Sequence, residues 1–227
     1  MIPSPVARLR GRLIVSCQAL PDSPLRHPAM IAALAQCAER GGAGGVRIDG
    51  PDDVAAVRGA VTVPIIGLYK ISHSSPVYIT PTFEMARDVA RAGADIIALQ
   101  ATREREDTGT PLADLVARIH AECGIPVMAD VSTRDEGLAA ATAGADLVAT
   151  TMAGYTPHSR HMPGPDLDLV HDLVNRCPVP VVAEGRITTP EEAAAALRAG
   201  AWAVVVGRAI TMPDAITARF VRALADG

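Results

Sequence analysis

Lys70 stands apart by residue type before any fold is considered. Lysine and arginine total 21 in the 227-residue chain, and Lys70 is the single lysine among them. Arginine keeps its charge at any physiological pH, whereas a buried lysine can shed its proton and act as a base. Other polar residues close short apolar runs: Gln18, Arg47 with Asp49, Gln100, Asp130, Thr150 with Thr151, Glu184, and Gly207 with Arg208. Brought to one pocket, the Lys70 amine and the Glu184 carboxylate suit proton transfer at carbon, one group removing a proton while the other handles an oxygen. Asp130 could orient the lysine or hold a sugar hydroxyl, and Arg47 could hold a carbonyl, carboxylate or phosphate oxygen. The glycines of Glu184-Gly185-Arg186 and Gly207-Arg208-Ala209 would let backbone amides approach an anion. Gly185, Arg186, Gly207 and Arg208 are therefore candidate phosphate-binding residues.

These residues need a scaffold that gathers strand ends at one mouth. Strand-like runs lie at Leu13–Ala19, Gly45–Asp49, Pro64–Lys70, Asp95–Ala101, Ile125–Val131, Asp146–Thr151, Val179–Glu184 and Ala203–Gly207. They are short, rich in Val and Ile and continuously apolar, as parallel strands covered by helices should be. Helical segments alternate with them near 28–40, 52–60, 82–92, 111–122, 134–143, 166–176, 190–199 and 213–224. Eight strands alternating with eight helices point to a (β/α)8 TIM barrel in the α/β class, formed by residues 1–227 as one domain. A weak internal repeat agrees: Ala-Gly-Ala recurs at 92–94, 143–145 and 199–201, each time before an even-numbered strand. The connections Ile71–Pro81 and Met152–Pro165 are longer than a barrel needs and follow strand ends, where lids and substrate-contacting loops sit.

Composition excludes several classes. Apolar residues make up 49% of the chain, which rules out global disorder, while only 3% are aromatic, so Ala, Val, Leu and Ile must build the core. A net charge of -4 argues against nucleic-acid or membrane-surface partners. No apolar run approaches a membrane span or a signal peptide, so a cytoplasmic protein is expected. Cys17, Cys37, Cys123 and Cys177 show no metal or disulfide spacing and read as buried thiols. His158 and His161 lack a third ligand at metal-site spacing, and His27, His73, His120 and His171 are scattered, so no metal site is expected. No Gly-x-Gly-x-x-Gly follows a strand, so no dinucleotide is indicated.

Seven ordered phrases give the chain a family likeness: Val15-Ser16-Cys17-Gln18-Ala19, Gly45-Val46-Arg47-Ile48, Pro64 to Lys70, Tyr78-Ile79-Thr80-Pro81-Thr82, Met128-Ala129-Asp130-Val131-Ser132, Ala153-Gly154-Tyr155-Thr156 and Ala183-Glu184-Gly185-Arg186-Ile187. The chain resembles the bacterial N-acetylmannosamine-6-phosphate 2-epimerase family. The resemblance implies a (β/α)8 barrel that interconverts N-acetylmannosamine 6-phosphate and N-acetylglucosamine 6-phosphate, in sialic acid and amino-sugar catabolism. It implies catalytic roles for Lys70 and Glu184 and sugar contacts from Gln18, Arg47 and Asp130, and Tyr155 in its matched phrase is a further expected substrate contact. It implies no cofactor. One phrase departs: where the family has a small residue after the glycine of the eighth strand and then Ala-Ile-Thr-Arg-Pro, this chain reads Gly207-Arg208-Ala209-Ile210-Thr211-Met212-Pro213. Methionine replaces an arginine, and Arg208 appears four residues earlier. Arg208 would either replace the lost contact or mark a shifted substrate. Two other readings remain at this level: another phosphate-binding barrel enzyme, such as a sugar-phosphate epimerase or a Schiff-base aldolase at Lys70, and a non-catalytic amino-sugar-phosphate sensor. Barrels of this kind often pair, and Phe220 with Val221 would contribute to a homodimer.

Overall fold

The computed structural model describes residues 2–72 and 74–225, with the backbone alone described at 107 and 108. The apolar runs form eight parallel strands: β1 (Arg12–Cys17), β2 (Gly45–Asp49), β3 (Ile65–Leu68), β4 (Ile96–Gln100), β5 (Val127–Asp130), β6 (Leu147–Ala149), β7 (Val181–Glu184) and β8 (Ala203–Val206). Each pairs with its neighbour in sequence, and β8 returns to β1 through Val15 opposite Val206, which closes the barrel. A closed sheet has no free edge, and every strand is then committed to both partners.

The two-residue period of a strand sorts the side chains. Val15, Cys17, Val46, Ile48, Ile97 and Leu99 point outward into the layer beneath the helices. Ile14, Ile66, Leu68, Ala98, Met128, Ala149 and Val182 point inward and fill the barrel. Continuing each inward register toward the C-terminal end arrives at Ser16, Lys70, Gln100, Asp130, Thr151 and Glu184, while Arg47 lies between the outward Val46 and Ile48. The polar residues therefore form the top layer of an otherwise apolar interior.

The helices follow the expected alternation: α2 (Pro28–Arg40), α3 (Pro51–Arg58), α4 (Phe83–Arg91), α5 (Leu112–Cys123), α6 (Arg134–Thr142), α7 (Leu167–Arg176), α8 (Pro190–Arg198) and α10 (Pro213–Ala225). Thr133 with Glu136 and Thr189 with Glu192 form reciprocal capping boxes that start α6 and α8, each worth about 1 kcal/mol. Three short pieces were not anticipated: α1 (Ser4–Arg8), a 3-10 turn at Arg103–Thr108 and α9 (Arg208–Thr211). Each spans too few residues to show a helical period.

The Ala-Gly-Ala repeat has a structural cause at the barrel's closed end. Its glycines Gly93, Gly144 and Gly200 all take φ near 100°, turning the chain out of a helix. The next residue then stitches the bottom: Asp95 accepts from the Ile65 N–H and Asp146 from the Val127 N–H, both at 2.8 Å. In the third copy Trp202 takes that place, and its indole N–H donates to the Val6 carbonyl of α1 at 2.9 Å.

One expectation is corrected. Cys17 is buried, but Cys37 on α2 is exposed, and Cys123 at the end of α5 and Cys177 just after α7 are half-buried at the margin of the core. The scattered histidines have local roles: His27 caps α2, His120 lies 2.8 Å from Asp146 and His171 bonds Asn175, while His73 falls outside the described residues. α10, finally, has no buried residue, and its Phe220 and Leu224 are 69% and 83% exposed.

Candidate active site

A cavity of about 1130 Å³ opens at the C-terminal ends of the strands. Gln18, Arg47, Lys70, Glu184 and Thr151 line its floor, and Gly185, Arg186, Gly207, Arg208 and Tyr155 line its rim. All the candidate catalytic, sugar-binding and phosphate-binding residues therefore reach it except Asp130, and of the other run-closing residues Gln100 and Thr150 do not line it. That carboxylate is fully buried beneath the floor, so the direct sugar contact expected of Asp130 gives way to contacts with Arg47 and Thr151.

One arginine organises the floor. Arg47, 1% exposed, grips Asp130 with both terminal nitrogens, Nη1 to Oδ1 at 3.0 Å and Nη2 to Oδ2 at 2.5 Å. The same Nη1 donates to Glu184 Oε2 at 2.5 Å. Two parallel bonds from a planar fork fix both partners in one orientation. Thr151 completes the group, its hydroxyl lying 2.6 Å from Asp130 Oδ1 and 3.1 Å from Glu184 Oε2. A hydroxyl has one proton, so it serves one carboxylate at a time.

A single guanidinium thus faces two carboxylates, and the fully buried Asp130 takes the bidentate bond. Glu184 carries the surplus. Burial, with Asp130 nearby, pushes its carboxyl above the ordinary range, against the pull of Arg47. Such a group holds its proton further toward neutrality than a free glutamate, as a general acid requires.

Lys70 follows β3 where the chain crosses Ile79 in an isolated antiparallel bridge. Asp49 accepts the Lys70 backbone N–H at 2.8 Å and thereby fixes the direction of the side chain. The amine donates to Gln18 Oε1 at 2.5 Å. Burial lowers its pKa below the ordinary lysine value; Asp49 opposes this and Arg47 reinforces it. An amine of that kind offers a lone pair to a ligand at lower pH than a surface lysine does. Asp49 and Thr151, named from the sequence only as polar strand ends, belong to this site as well, with Ser16 and Tyr78. The inward register of Ser16, two residues before Gln18, was the signal available for it.

The rim is built otherwise. Gly185 (φ 111°) and Arg186 (φ 56°) form a left-handed turn after β7. This turn sends the Arg186 side chain under the β6–α7 loop, where it donates to the carbonyls of Ala153 and Gly164 and lies 5.4 Å from the Tyr155 ring. Both ends of that loop are thus held by one guanidinium. Nε and Nη1 of Arg186 are thus engaged by the loop, its Nη2 is buried without a hydrogen-bond partner among the described residues, and Tyr155 is 59% exposed. Arg208 begins α9, is exposed and makes no hydrogen bond or ion pair with the described residues. Met212, four residues on, also lines the cavity.

Among the described residues no group of three or more His, Cys, Asp or Glu is placed to hold a metal ion. His158 lies 3.7 Å from Glu104, and His161 faces the Gly154 carbonyl. No helix of the described residues is long and apolar enough to cross a membrane.

Residues 31–226 match a family model described as "Putative N-acetylmannosamine-6-phosphate epimerase". The chain is 52% identical over 219 residues to a relative from Thermosynechococcus vestitus named "Putative N-acetylmannosamine-6-phosphate 2-epimerase", covering 96% of this chain and 95% of that one. A relative of the same name from Cutibacterium acnes is 48% identical over 221 residues, with 96% of each chain covered. Among solved structures, the N-acetylmannosamine-6-phosphate 2-epimerase from Clostridium perfringens superposes with a TM-score of 0.91 at 41% identity, covering 96% of this chain and 95% of that chain.

Proposed function

The chain belongs to the N-acetylmannosamine-6-phosphate epimerase family, and from that membership we propose that it interconverts N-acetylmannosamine 6-phosphate and N-acetylglucosamine 6-phosphate by proton removal and return at C2. The observation that carries the reading is a buried amine, Lys70, with a lowered pKa, in one cavity with a protonated-leaning carboxyl, Glu184.

The open-chain sugar has an aldehyde at C1, which acidifies the C2–H bond. Lys70 takes that proton, and the electron pair left behind delocalises onto the C1 oxygen as an enolate. Arg47, held on the cavity floor, offsets the developing negative charge. Return of a proton to the opposite face of C2 gives the epimer, with Glu184 as the acid. Gln18 and Tyr155 contact the sugar, and Asp130 supports it through Arg47. The phosphate sits at the rim, against the amides of the Gly185-Arg186 turn and of Gly207, with Arg208 as its cation. The protein works without a cofactor in the cytoplasm, as a step in amino-sugar breakdown. It pairs with a second copy through the apolar face of α10, which no described residue buries.

Proton NMR of the protein with N-acetylmannosamine 6-phosphate in deuterated buffer tests this. Formation of the gluco epimer carrying deuterium at C2 is the expected result. Folded protein that gives neither conversion nor exchange overturns the assignment. Borohydride trapping of a Lys70 adduct would favour the aldolase reading instead.

A further inference from the structure

Thr80 adopts a left-handed backbone, with φ 46°, and is fully buried. Glycine is the default residue at such a φ, and a β-branched side chain there is a strained exception. Strain of this kind persists only where surrounding contacts over-determine it, and it gathers at functional sites.

Every polar group of Thr80 is engaged. Its N–H donates to the Tyr69 carbonyl at 2.8 Å, and its own carbonyl accepts from Arg105 Nη2 at 3.3 Å. Its hydroxyl donates to the Ala98 carbonyl of β4 at 2.7 Å and accepts from the Tyr69 N–H at 3.0 Å. A backbone carbonyl only accepts and a backbone N–H only donates, so both bonds of the hydroxyl have a single possible sense.

The register explains why a threonine stands there. Lys70 faces Ile79 in the antiparallel bridge, and the Ile71 N–H donates to the Tyr78 carbonyl at 3.0 Å. Tyr69 and Thr80 are the next pair, and two such residues ordinarily exchange both N–H to carbonyl bonds. The left-handed φ turns the Thr80 carbonyl away to Arg105, and the hydroxyl takes its place. Glycine would relieve the strain but leave the Tyr69 N–H without an acceptor. The peptide joining Tyr69 to Lys70 is held at both ends, its carbonyl by the Thr80 N–H and its N–H by Asp49. The charged groups acting on the amine itself are Asp49 and Arg47 of β2, Asp130 of β5 and Glu184 of β7. None of them hydrogen-bonds Thr80.

We propose that Thr80 is a positioning residue for the epimerisation, its hydroxyl completing the hydrogen-bonded pair with Tyr69 that aims Lys70 into the cavity. This rests on Lys70 being the base.

Two variants separate the hydroxyl from the rest of the side chain. Thr80→Val keeps the shape and removes both hydroxyl bonds, whereas Thr80→Ser keeps the hydroxyl and removes a buried methyl. Where both are folded, Thr80→Val should lower kcat about ten-fold, short of the ~10²-fold that a 1 Å misplacement can cost, with KM nearly unchanged. Thr80→Ser should keep kcat within about two-fold of the parent, even with a lower unfolding temperature. Equal losses in the two variants, or a loss confined to KM, overturn the proposal. If Thr80→Val does not fold, Thr80→Gly removes the same hydroxyl at a φ that glycine takes freely, and the same loss is expected of it.

A second readout needs no turnover. Lys70 is the chain's single lysine, so protein labelled with 13C at lysine Cε gives one lysine signal, and its titration follows this amine. Burial holds the Lys70 pKa below the ordinary lysine value. The midpoint should therefore rise toward that value in Thr80→Val, as the amine loses its fixed place, and stay put in Thr80→Ser. An unmoved signal in Thr80→Val overturns the proposal whatever kcat does. Failure of the base reading looks different, because the signal would then move while kcat stayed at the parent value.

Discussion

Arg47 and Arg208 line the same cavity under opposite conditions. Arg47 is 1% exposed and bound to Asp130 and Glu184 on strands of a closed barrel. Arg208 is exposed on a one-turn helix and pairs with none of the described residues. A charge without solvent must have its partners built in, whereas a charge at the rim is solvated and can wait for an anionic ligand. The floor is therefore preorganised for proton transfer, and the rim is where recognition can change without refolding. The exchange of an arginine for Met212 lies in the rim.

The comparison can be broken most severely on the floor. Lys70→Ala removes the proposed base and should lower kcat about 10³-fold, within the usual span for general-base loss, with C2 deuterium exchange falling in parallel. A fall in KM-linked binding without loss of exchange would move Lys70 from chemistry to binding.

Arg47→Met should be next in size, and here stability responds. The variant leaves Asp130 and Glu184 buried without their cation, at a cost of about 3–5 kcal/mol, measurable by urea unfolding. The sign follows from linkage: without Arg47 the folded-state carboxyl pKa rises further above its unfolded value, so stability is retained at low pH and lost as pH rises through the raised value. A loss independent of pH would mean that packing, not charge, explains the effect.

How far the sequence reveals the two regions follows from their physics. The floor was legible because polar residues close short apolar runs and a barrel gathers strand ends at one mouth, so Lys70 and Glu184 were readable as residues of that mouth. Its wiring was not: Asp130 reads as a ligand from its position in sequence, and only the distances to Arg47 and Thr151 place it under the floor. The rim was half legible. Glycines after β7 and β8 marked a candidate anion site, but the direction of Arg186 depends on a positive φ at a non-glycine residue, which no residue pattern announces. α9 was hidden for the same reason as α1, since one turn of helix shows no periodicity. Phe220 and Val221 were readable as a dimer surface, yet only the structure shows that no residue of α10 is buried by the described residues.

A smaller effect, still on the floor, separates charge from geometry around Lys70. Asp49→Asn keeps an oxygen for the Lys70 backbone N–H but removes the negative charge that raises the amine's pKa. The amine then deprotonates at lower pH, so the acid limb of the kcat/KM profile should move down while the plateau stays near that of the parent. A shift upward would reverse the electrostatic assignment.

At the rim the effects should fall on KM alone. Arg208→Ala should raise KM for the sugar phosphate about ten-fold, the loss of one solvent-accessible charge-assisted contact, with kcat nearly unchanged. Unaltered KM would mean that the backbone turn at Gly185 carries the phosphate by itself. The mildest test returns the arginine that the family pattern has. Arg208 and Met212 are four residues apart and both line the cavity, so either can present a guanidinium to the same ligand. Met212→Arg in the parent should lower KM only about two-fold, because Arg208 already supplies the charge and a second cation repels the first. In the Arg208→Ala background the same change should recover most of the lost affinity. That non-additivity, read as a double-mutant cycle, distinguishes one cation moved along α9 from two independent sites, and strictly additive effects would favour the two-site account.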